Sequence, residues 1–357
     1  MPGRYEEDIS IVESDHDKRE FPLRAEHPLP PDAPVDLHLH TIASDGFWTA
    51  EALITHLAER GFRVAAICDH DTQRSVAEAM RLGAAKGVHI VPGVEVTTRW
   101  AGRQWHVLVY GIRPDRTDLA SAAFRAALAE IDAALQTAAV DAWKRIEASG
   151  RPLPSLEETM AGRPLWPFHV LSAAIKEGHV PNLKEAAELV VRLGGTFTAD
   201  LPLERVVSAA HEAGGVCIVA HPGRSDSVGV MTEHDLNAML AEIPIDGLEA
   251  HYRSYTDEQT ALYRRLAEER GLLISCGSDS HAPKHPVDPR PWRASWCQGL
   301  LMRLGIPVAA TTNGQPAWRP GMDVAQATAA PAAAQPESPG EQVMEAAAEL
   351  ARADAQP

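Results

Sequence analysis

The stretch Val35-Asp36-Leu37-His38-Leu39-His40-Thr41-Ile42-Ala43-Ser44-Asp45-Gly46 decides how the chain is read. Val35, Leu37 and Leu39 alternate with Asp36, His38 and His40, a period of two that predicts a strand with both histidines on one face. Two imidazoles at i and i+2 can hold one metal ion at a strand end. Ser44-Asp45-Gly46 is turn chemistry and sets Asp45 in the loop just beyond. A lone His-x-His is also readable as a polar strand face. The rest of the chain decides between the two readings by supplying matching pieces.

Working outward, 49–60 has Ala52, Leu53, His56 and Leu57 at helical spacing, with Thr49 as N-cap and Gly61 at the end. The apolar run 62–67 predicts a second strand, ending in Cys68-Asp69-His70-Asp71. Polar residues just past the carboxyl end of a buried strand are where α/β barrels keep their chemistry. A helix over 75–86, closed by Gly87, leads to a strand over 89–96 that contains Glu95 among apolar neighbours. A carboxylate there needs a metal or a cationic partner, because burying it alone is costly. His106 lies in a further strand over 105–110. Strands alternating with helices predict a parallel sheet closed or wound by crossover helices.

The alternation breaks after Gly111. Residues 117–149 are alanine-rich and helical, 150–167 is a proline- and glycine-rich loop, and 170–176 and 183–193 again read as helices. A mostly α-helical inserted subdomain over 115–200 is expected, shaping a substrate pocket with His169 and Lys184 as its polar residues of interest. The barrel pattern then resumes. A helix over 202–213 precedes the apolar strand 216–220, which ends in His221-Pro222-Gly223-Arg224. The short strand 247–250 leads to His251-Tyr252-Arg253, and the strand 272–276 runs into Gly277-Ser278-Asp279-Ser280-His281. The expected division is a flexible leader over 1–34, a barrel over 35–114 and 201–312, the insertion between, and a disordered Ala/Pro-rich tail over 313–357.

The chain has 357 residues, a net charge of -16 and four scattered cysteines without a Cys-x-x-Cys pair. The acidic balance argues against stable binding of duplex nucleic acid. It leaves room for a small anionic substrate, because bound divalent cations reverse the local field. The cysteine usage predicts no disulfide framework and a cytoplasmic location. No stretch is apolar and long enough to span a bilayer, so no membrane partner is expected.

His38, His40, Asp45, His70, Glu95, His106, His221, Asp279 and His281 thus collect at strand ends. Imidazole with carboxylate suits Zn, Mn or Fe. The set is too large for one tetrahedral zinc with an open position, so two to three divalent ions are expected, with Glu95 or Asp279 bridging. Ser44, Ser278 and Ser280 are turn residues, and Cys68 and Cys276 lack an evident base. The expected nucleophile is therefore a metal-bound hydroxide, with His221 or His281 among the candidates for stabilising the leaving oxygen. Arg224 is the candidate phosphate ligand.

In these segments, taken in order over about 35–285, the chain resembles the PHP (polymerase and histidinol phosphatase) family of metal-dependent phosphoesterases. It is most similar to the branch of nucleoside 3′,5′-bisphosphate phosphatases and 5′-3′ exoribonucleases, also at His211-Glu212-Ala213-Gly214-Gly215 and Gly247-Leu248-Glu249. The resemblance implies a distorted seven-stranded α/β barrel and three ions. His38, His40, Glu95 and Asp279 would hold one, Glu95, His106 and His221 the second, and Asp45, His70 and His281 the third. It implies hydrolysis of phosphate esters of nucleotides or RNA 5′ ends, with a small phosphorylated substrate as partner. The alternatives are a phosphatase of another small metabolite, such as a histidinol-phosphate-like ester, and a non-catalytic metal-binding module. Two departures bear on the substrate. Pro167 stands where that branch commonly has arginine, and Leu189-Val190-Val191-Arg192-Leu193 replaces a tyrosine-bearing segment.

Overall fold

A computed structural model describes residues 28–224, 230–283, 288–311 and 317–322. Residues 1–27 of the expected leader and most of the expected tail lie outside this set. Leu29 forms a bridge to Val308, so the two ends of the described chain run side by side.

The strands are β1 (Pro34–Leu39), β2 (Val64–Ile67), β3 (His89–Trp100), β4 (Arg103–Tyr110), β5 (Leu201–Pro202), β6 (Val216–Val219), β7 (Gly247–Tyr252), β8 (Leu273–Gly277) and β9 (Trp292–Arg293). They form one nine-stranded sheet in the order β8-β7-β6-β4-β3-β2-β1-β9, with β5 on β3. The count exceeds the expected seven by the two-residue strands β5 and β9, which are too short to show as a period in sequence. The sheet nearly closes, because Leu39 bridges Ser280 just past β8 and His40 N–H donates to Ser280 O at 2.9 Å.

The sheet is not parallel throughout. β3–β4 and β4–β6 are antiparallel, while β1–β2, β2–β3, β6–β7 and β7–β8 are parallel. The cause is local. Only Ala101 and Gly102 join β3 to β4, with φ of 50° and 75°. A two-residue turn in that conformation makes a hairpin, whereas a parallel return needs a dozen residues or more.

Helices α1 (Ala50–Glu59) and α2 (Val76–Lys86) cover one flank of the sheet through Leu53, Ile54, Leu57, Val76 and Ala79. Thr49 Oγ1 accepts from Ala52 N–H at 3.1 Å and starts α1. Gly87, with φ of 77°, ends α2 in the left-handed conformation that glycine adopts without strain. Helix α3 (Ala122–Ala148) has no internal glycine or proline over its 27 residues, so it extends about 40 Å at 1.5 Å per residue. Its first half packs Phe124, Ala127 and Ile131 against the sheet. Its second half packs Ala139, Ala142 and Ile146 in a separate cluster with α4 (Leu156–Met160), α5 (Pro167–Lys176) and α6 (Leu183–Arg192). The stretch read as a loop over 150–167 thus contains α4, one turn too short to be periodic.

Helices α7 (Leu203–Glu212), α8 (Glu233–Glu242) and α9 (Asp257–Glu268) cover the other flank, and α10 (Gln298–Arg303) sits below β8. Along β3, β4, β6 and β7 the residues Val94, Val96, Val107, Val109, Val219, Leu248 and Ala250 pack under these helices. The alternate positions, among them Glu95, His106 and Glu249, therefore share the opposite face. Among the described residues, no helix is long and apolar enough to cross a membrane.

Candidate metal centre and active site

Glu95, midway along β3 and fully buried, is the centre of the site. Its Oε2 lies 2.9 Å from His38 Nε2, 3.1 Å from His40 Nε2 and 3.5 Å from His70 Nδ1. Its Oε1 lies 2.9 Å from both His106 Nδ1 and His221 Nε2. Asp279 Oδ1 approaches His40 Nε2 at 2.9 Å and His38 Nε2 at 3.5 Å. Asp45 faces His281 Nε2 at 3.3 Å and His70 Nε2 at 3.9 Å. The structure thus brings together His38, His40, Asp45, His70, Glu95, His106, His221, Asp279 and His281.

The backbone delivers them as the alternation predicts. β1 carries His38 inward, His40 and Asp45 follow past its end, and β3, β4 and the ends of β2, β6 and β8 bring the rest. Asp71, His221 and Asp279, all non-glycine, have φ of 55°, 28° and 53°. Backbone in that region costs free energy and persists where packing over-determines it. Here the packing is visible. Asp69 accepts from Thr41 N–H at 2.6 Å, from the Thr41 hydroxyl at 2.8 Å and from the Ser44 hydroxyl at 2.8 Å, fixing the loop that carries Asp45. Asp71 accepts from Thr97 N–H at 2.7 Å and from its hydroxyl at 2.9 Å, tying the end of β2 to β3. Asp36 accepts from Ser278 N–H and Arg290 N–H, both at 2.9 Å, and so holds the loop that carries Asp279.

The electrostatics are those of a dense donor set. Burial works against charge on Glu95, but the facing His38, His70 and His106 outweigh it and hold the carboxyl well below the usual range. Asp279 is held low in the same way, against burial, by His38 and His281. Burial would lower His40, yet Asp279 and Glu95 raise it to about 10. For His70 burial wins and takes it down to about 3. Both nitrogens of His40 and of His106, with His70 Nδ1, His281 Nε2 and Asp279 Oδ1, are buried and make no hydrogen bond among the described residues, although several lie within 3 Å of an opposite group. Buried polar atoms are rarely left so. Divalent cations would satisfy these lone pairs together and supply the charge that the carboxylates call for. Ligand atoms within 4.8 Å of one another group as His38, His40, Glu95 and Asp279, as His40, Asp45, His70 and His281, and as His70, Glu95 and His106.

Three nearby residues, Glu249, Tyr252 and Arg253, join the site without a sequence motif that assigns them a role. Glu249 is fully buried, with Oε1 3.0 Å from His38 Nδ1 and Oε2 accepting from His221 N–H at 2.7 Å. Its signal was the one used for Glu95, a carboxylate between apolar strand neighbours. Tyr252 donates its hydroxyl to Asp279 Oδ2 at 2.9 Å, and Arg253 Nη1 donates to Ser278 O at 2.7 Å. Arg224, also buried, has Nη1 3.5 Å from Asp279 Oδ2. Its loop is held by the Tyr263 hydroxyl, which donates to Pro222 O at 3.1 Å.

His169 is placed differently from the metal cluster. Its Nδ1 accepts from Trp166 N–H at 3.1 Å, which caps α5, and burial lowers the imidazole to about 4. Lys184 is half-buried in the first turn of α6, which packs on α5 and α3. The four cysteines are buried and unbridged, and burial pushes the Cys68 and Cys276 thiols well up, which disfavours either as a nucleophile.

No family model matches the chain. It is 30% identical over 257 residues to a 5′-3′ exoribonuclease of Haemophilus influenzae, covering 70% of this chain and 90% of that protein. It is 27% identical over 265 residues to a 3′,5′-nucleoside bisphosphate phosphatase of Chromobacterium violaceum, covering 70% and 88%. A solved structure from Bifidobacterium adolescentis, assigned as a metal-dependent phosphoesterase, superposes with a TM-score of 0.62 at 23% identity, covering 80% of this chain and all of that one, which speaks for the shared fold. With the cluster around Glu95 and these relatives in view, the chain belongs to the PHP family of metal-dependent phosphoesterases, hydrolases of phosphoric esters.

Proposed function

We propose that the chain hydrolyses phosphate esters of nucleotides or RNA 5′ ends, in the cytoplasm, with two to three divalent ions. The observation that carries the reading is the convergence on Glu95 of imidazoles and carboxylates, with buried atoms of His40, His70, His106, His281 and Asp279 left without a hydrogen bond among the described residues. His38, His40, Glu95 and Asp279 would hold one ion, Glu95, His106 and His221 a second, and Asp45, His70 and His281 a third. Mn, Zn and Fe all suit this donor set. Bound there, the ions lower the pKa of water and offset charge on the phosphate oxygens.

The chain's own residues do the rest. Arg224, at the mouth beside Asp279, is suited to gripping a phosphate oxygen pair. Tyr252 engages Asp279 Oδ2 and so turns Oδ1 toward His38 and His40. His281 Nδ1 lies 3.0 Å from Asp279 O, so it carries the proton and leaves Nε2 with its lone pair facing Asp45. His221 Nε2 faces Glu95, so protonation of the leaving oxygen falls to solvent or to a transient release of that contact. The helices over 115–200 act as the cap that shapes the substrate cleft.

The relatives named above as an exoribonuclease and a bisphosphate phosphatase support a nucleotide substrate. The test is a panel of nucleotides, bisphosphates, 5′-phosphorylated oligonucleotides and aliphatic phosphate esters with Mn or Zn. Release of phosphate or mononucleotide from the nucleotide members is expected. Turnover confined to non-nucleotide esters would redirect the reading to another small metabolite.

A further inference from the structure

Between the metal cluster and the α3–α6 helices lies a cleft open to solvent. One end is Asp45 and His70, which belong to the cluster. The other is lined by Leu135, Trp166, Phe168 and Phe197. Thr97 and Thr198 contribute hydroxyls, and no lysine or arginine lines it among the described residues. Arg74, whose guanidinium lies 5.5 Å from the Trp166 ring, is engaged by Asp132 at 2.6 Å. Trp166 Nε1–H donates to the same carboxylate at 2.9 Å, so that ring is locked in place. Phe47, outside the lining, is 53% exposed and meets the half-buried Phe168 of the lining edge-on, with ring centroids 6.3 Å apart. An aromatic pair left open to solvent beside a reactive cluster is a ready stacking platform.

The charge pattern decides what fits. The ionisable groups lining the cleft are Asp45, His70 and Asp71. The lining offers an anionic group no lysine or arginine and adds the carboxylate of Asp71, so a charge held there would lack a partner in the lining, which is costly. A flat, uncharged ring with polar edges finds aromatic faces and threonine hydroxyls instead.

We propose that this cleft takes the uncharged heteroaromatic base of the ester, and that substrates are selected by stacking there and not by recognition of a second phosphate. The ester phosphorus then lies at the Asp45–His70 end and the base at the Phe168–Phe197 end. The inference rests on the phosphoesterase reading of the neighbouring cluster.

The test measures kcat/KM of the metal-loaded protein on a nucleoside 3′-monophosphate, the matching 3′,5′-bisphosphate, and glycerol phosphate as an ester without a base. Monophosphate and bisphosphate should agree within about 5-fold, because only one phosphate is read. Stacking is worth about 5- to 150-fold per base, so Phe168→Ala should lower turnover of the nucleotide by that factor and leave glycerol phosphate within about 2-fold. Phe47→Ala, at an exposed position that folding does not depend on, should lower nucleotide turnover in the same selective way. A bisphosphate preference above about 10-fold, or equal losses on both kinds of ester, overturns the proposal. If no phosphate ester is hydrolysed at all, the phosphoesterase reading fails, and calorimetry with an uncharged nucleoside then judges the cleft alone. Binding weakened at least 5-fold by Phe168→Ala sustains the subsite, and no binding to the unaltered protein overturns it.

Discussion

Replacing Glu249 by Gln should loosen the metal centre without touching a ligand. The carboxylate is fully buried and serves two donors, His38 Nδ1 at 3.0 Å and His221 N–H at 2.7 Å. A carboxylate accepts on both oxygens, so His38 carries its proton on Nδ1 and keeps the Nε2 lone pair toward Glu95 and Asp279. Glutamine has the same shape but one acceptor. Its amide oxygen can serve the His221 backbone, and its NH₂ then faces His38 Nδ1. The imidazole must either leave two donors opposed or move its proton to Nε2, the atom that a cation needs. Loss of such a partner costs about 10- to 100-fold in metal affinity, or about 1.4–2.8 kcal/mol at 1.4 kcal/mol per factor of ten. Chelator competition on the intact protein, with thermal melting to confirm folding, reads this directly. Weakening should appear for ions held through His38 and His221, while an ion held through Asp45, His70 and His281 keeps its affinity. Affinity unchanged within about 2-fold would refute the argument, since the amide would then orient His38 as well as the carboxylate does.

Asp279→Ala removes the Oδ1 that His38 and His40 face, so metal content by elemental analysis and turnover should fall together, from more than one ion per chain in the unaltered protein. Arg224→Ala should cut kcat/KM about 10- to 100-fold with the metal content unchanged, because a charge-assisted contact to phosphate is lost while the ligands stay in place; an unchanged kcat/KM would mark Arg224 as structural. Gly277→Ala should lower the melting temperature and weaken metal binding at once, since a Cβ there would lie 2.2 Å from Glu249 Oε1 and 2.3 Å from His38 Cβ. Overpacking of that kind costs about 1–3 kcal/mol, and melting equal to that of the unaltered chain would show that Glu249 can move aside.

The same two carboxylates show what the sequence could reveal of this site and where it fell short. Glu95 and Glu249 each stand between apolar residues in a strand, and each is buried completely. Glu95 was legible as a cation partner because histidines at neighbouring strand ends accompany it. Glu249 carried an equal signal, but its partners are the Nδ1 of a histidine on β1, 211 residues away in sequence, and a backbone N–H. No local period reports a contact of that range. The cluster was legible for the converse reason: most of its members sit within or just past strands whose alternation fixes their face, so closing the sheet brings them together. The direction of β4 was not legible, because the two-residue turn at Ala101 and Gly102 lacks the usual Asn-Gly or Asp-Gly signature of a hairpin. That hairpin has a consequence for chemistry. It runs β3 and β4 side by side in opposite directions, pairing Glu95 with Leu108 and Thr97 with His106. The β4 histidine therefore reaches Glu95 from the Thr97 side, the side on which Asp71 grips Thr97 and the aromatic cleft begins. In this register His106 Nδ1 lies 2.9 Å from Glu95 Oε1. The antiparallel pair is thus what lets one buried carboxylate serve imidazoles from both halves of the sheet.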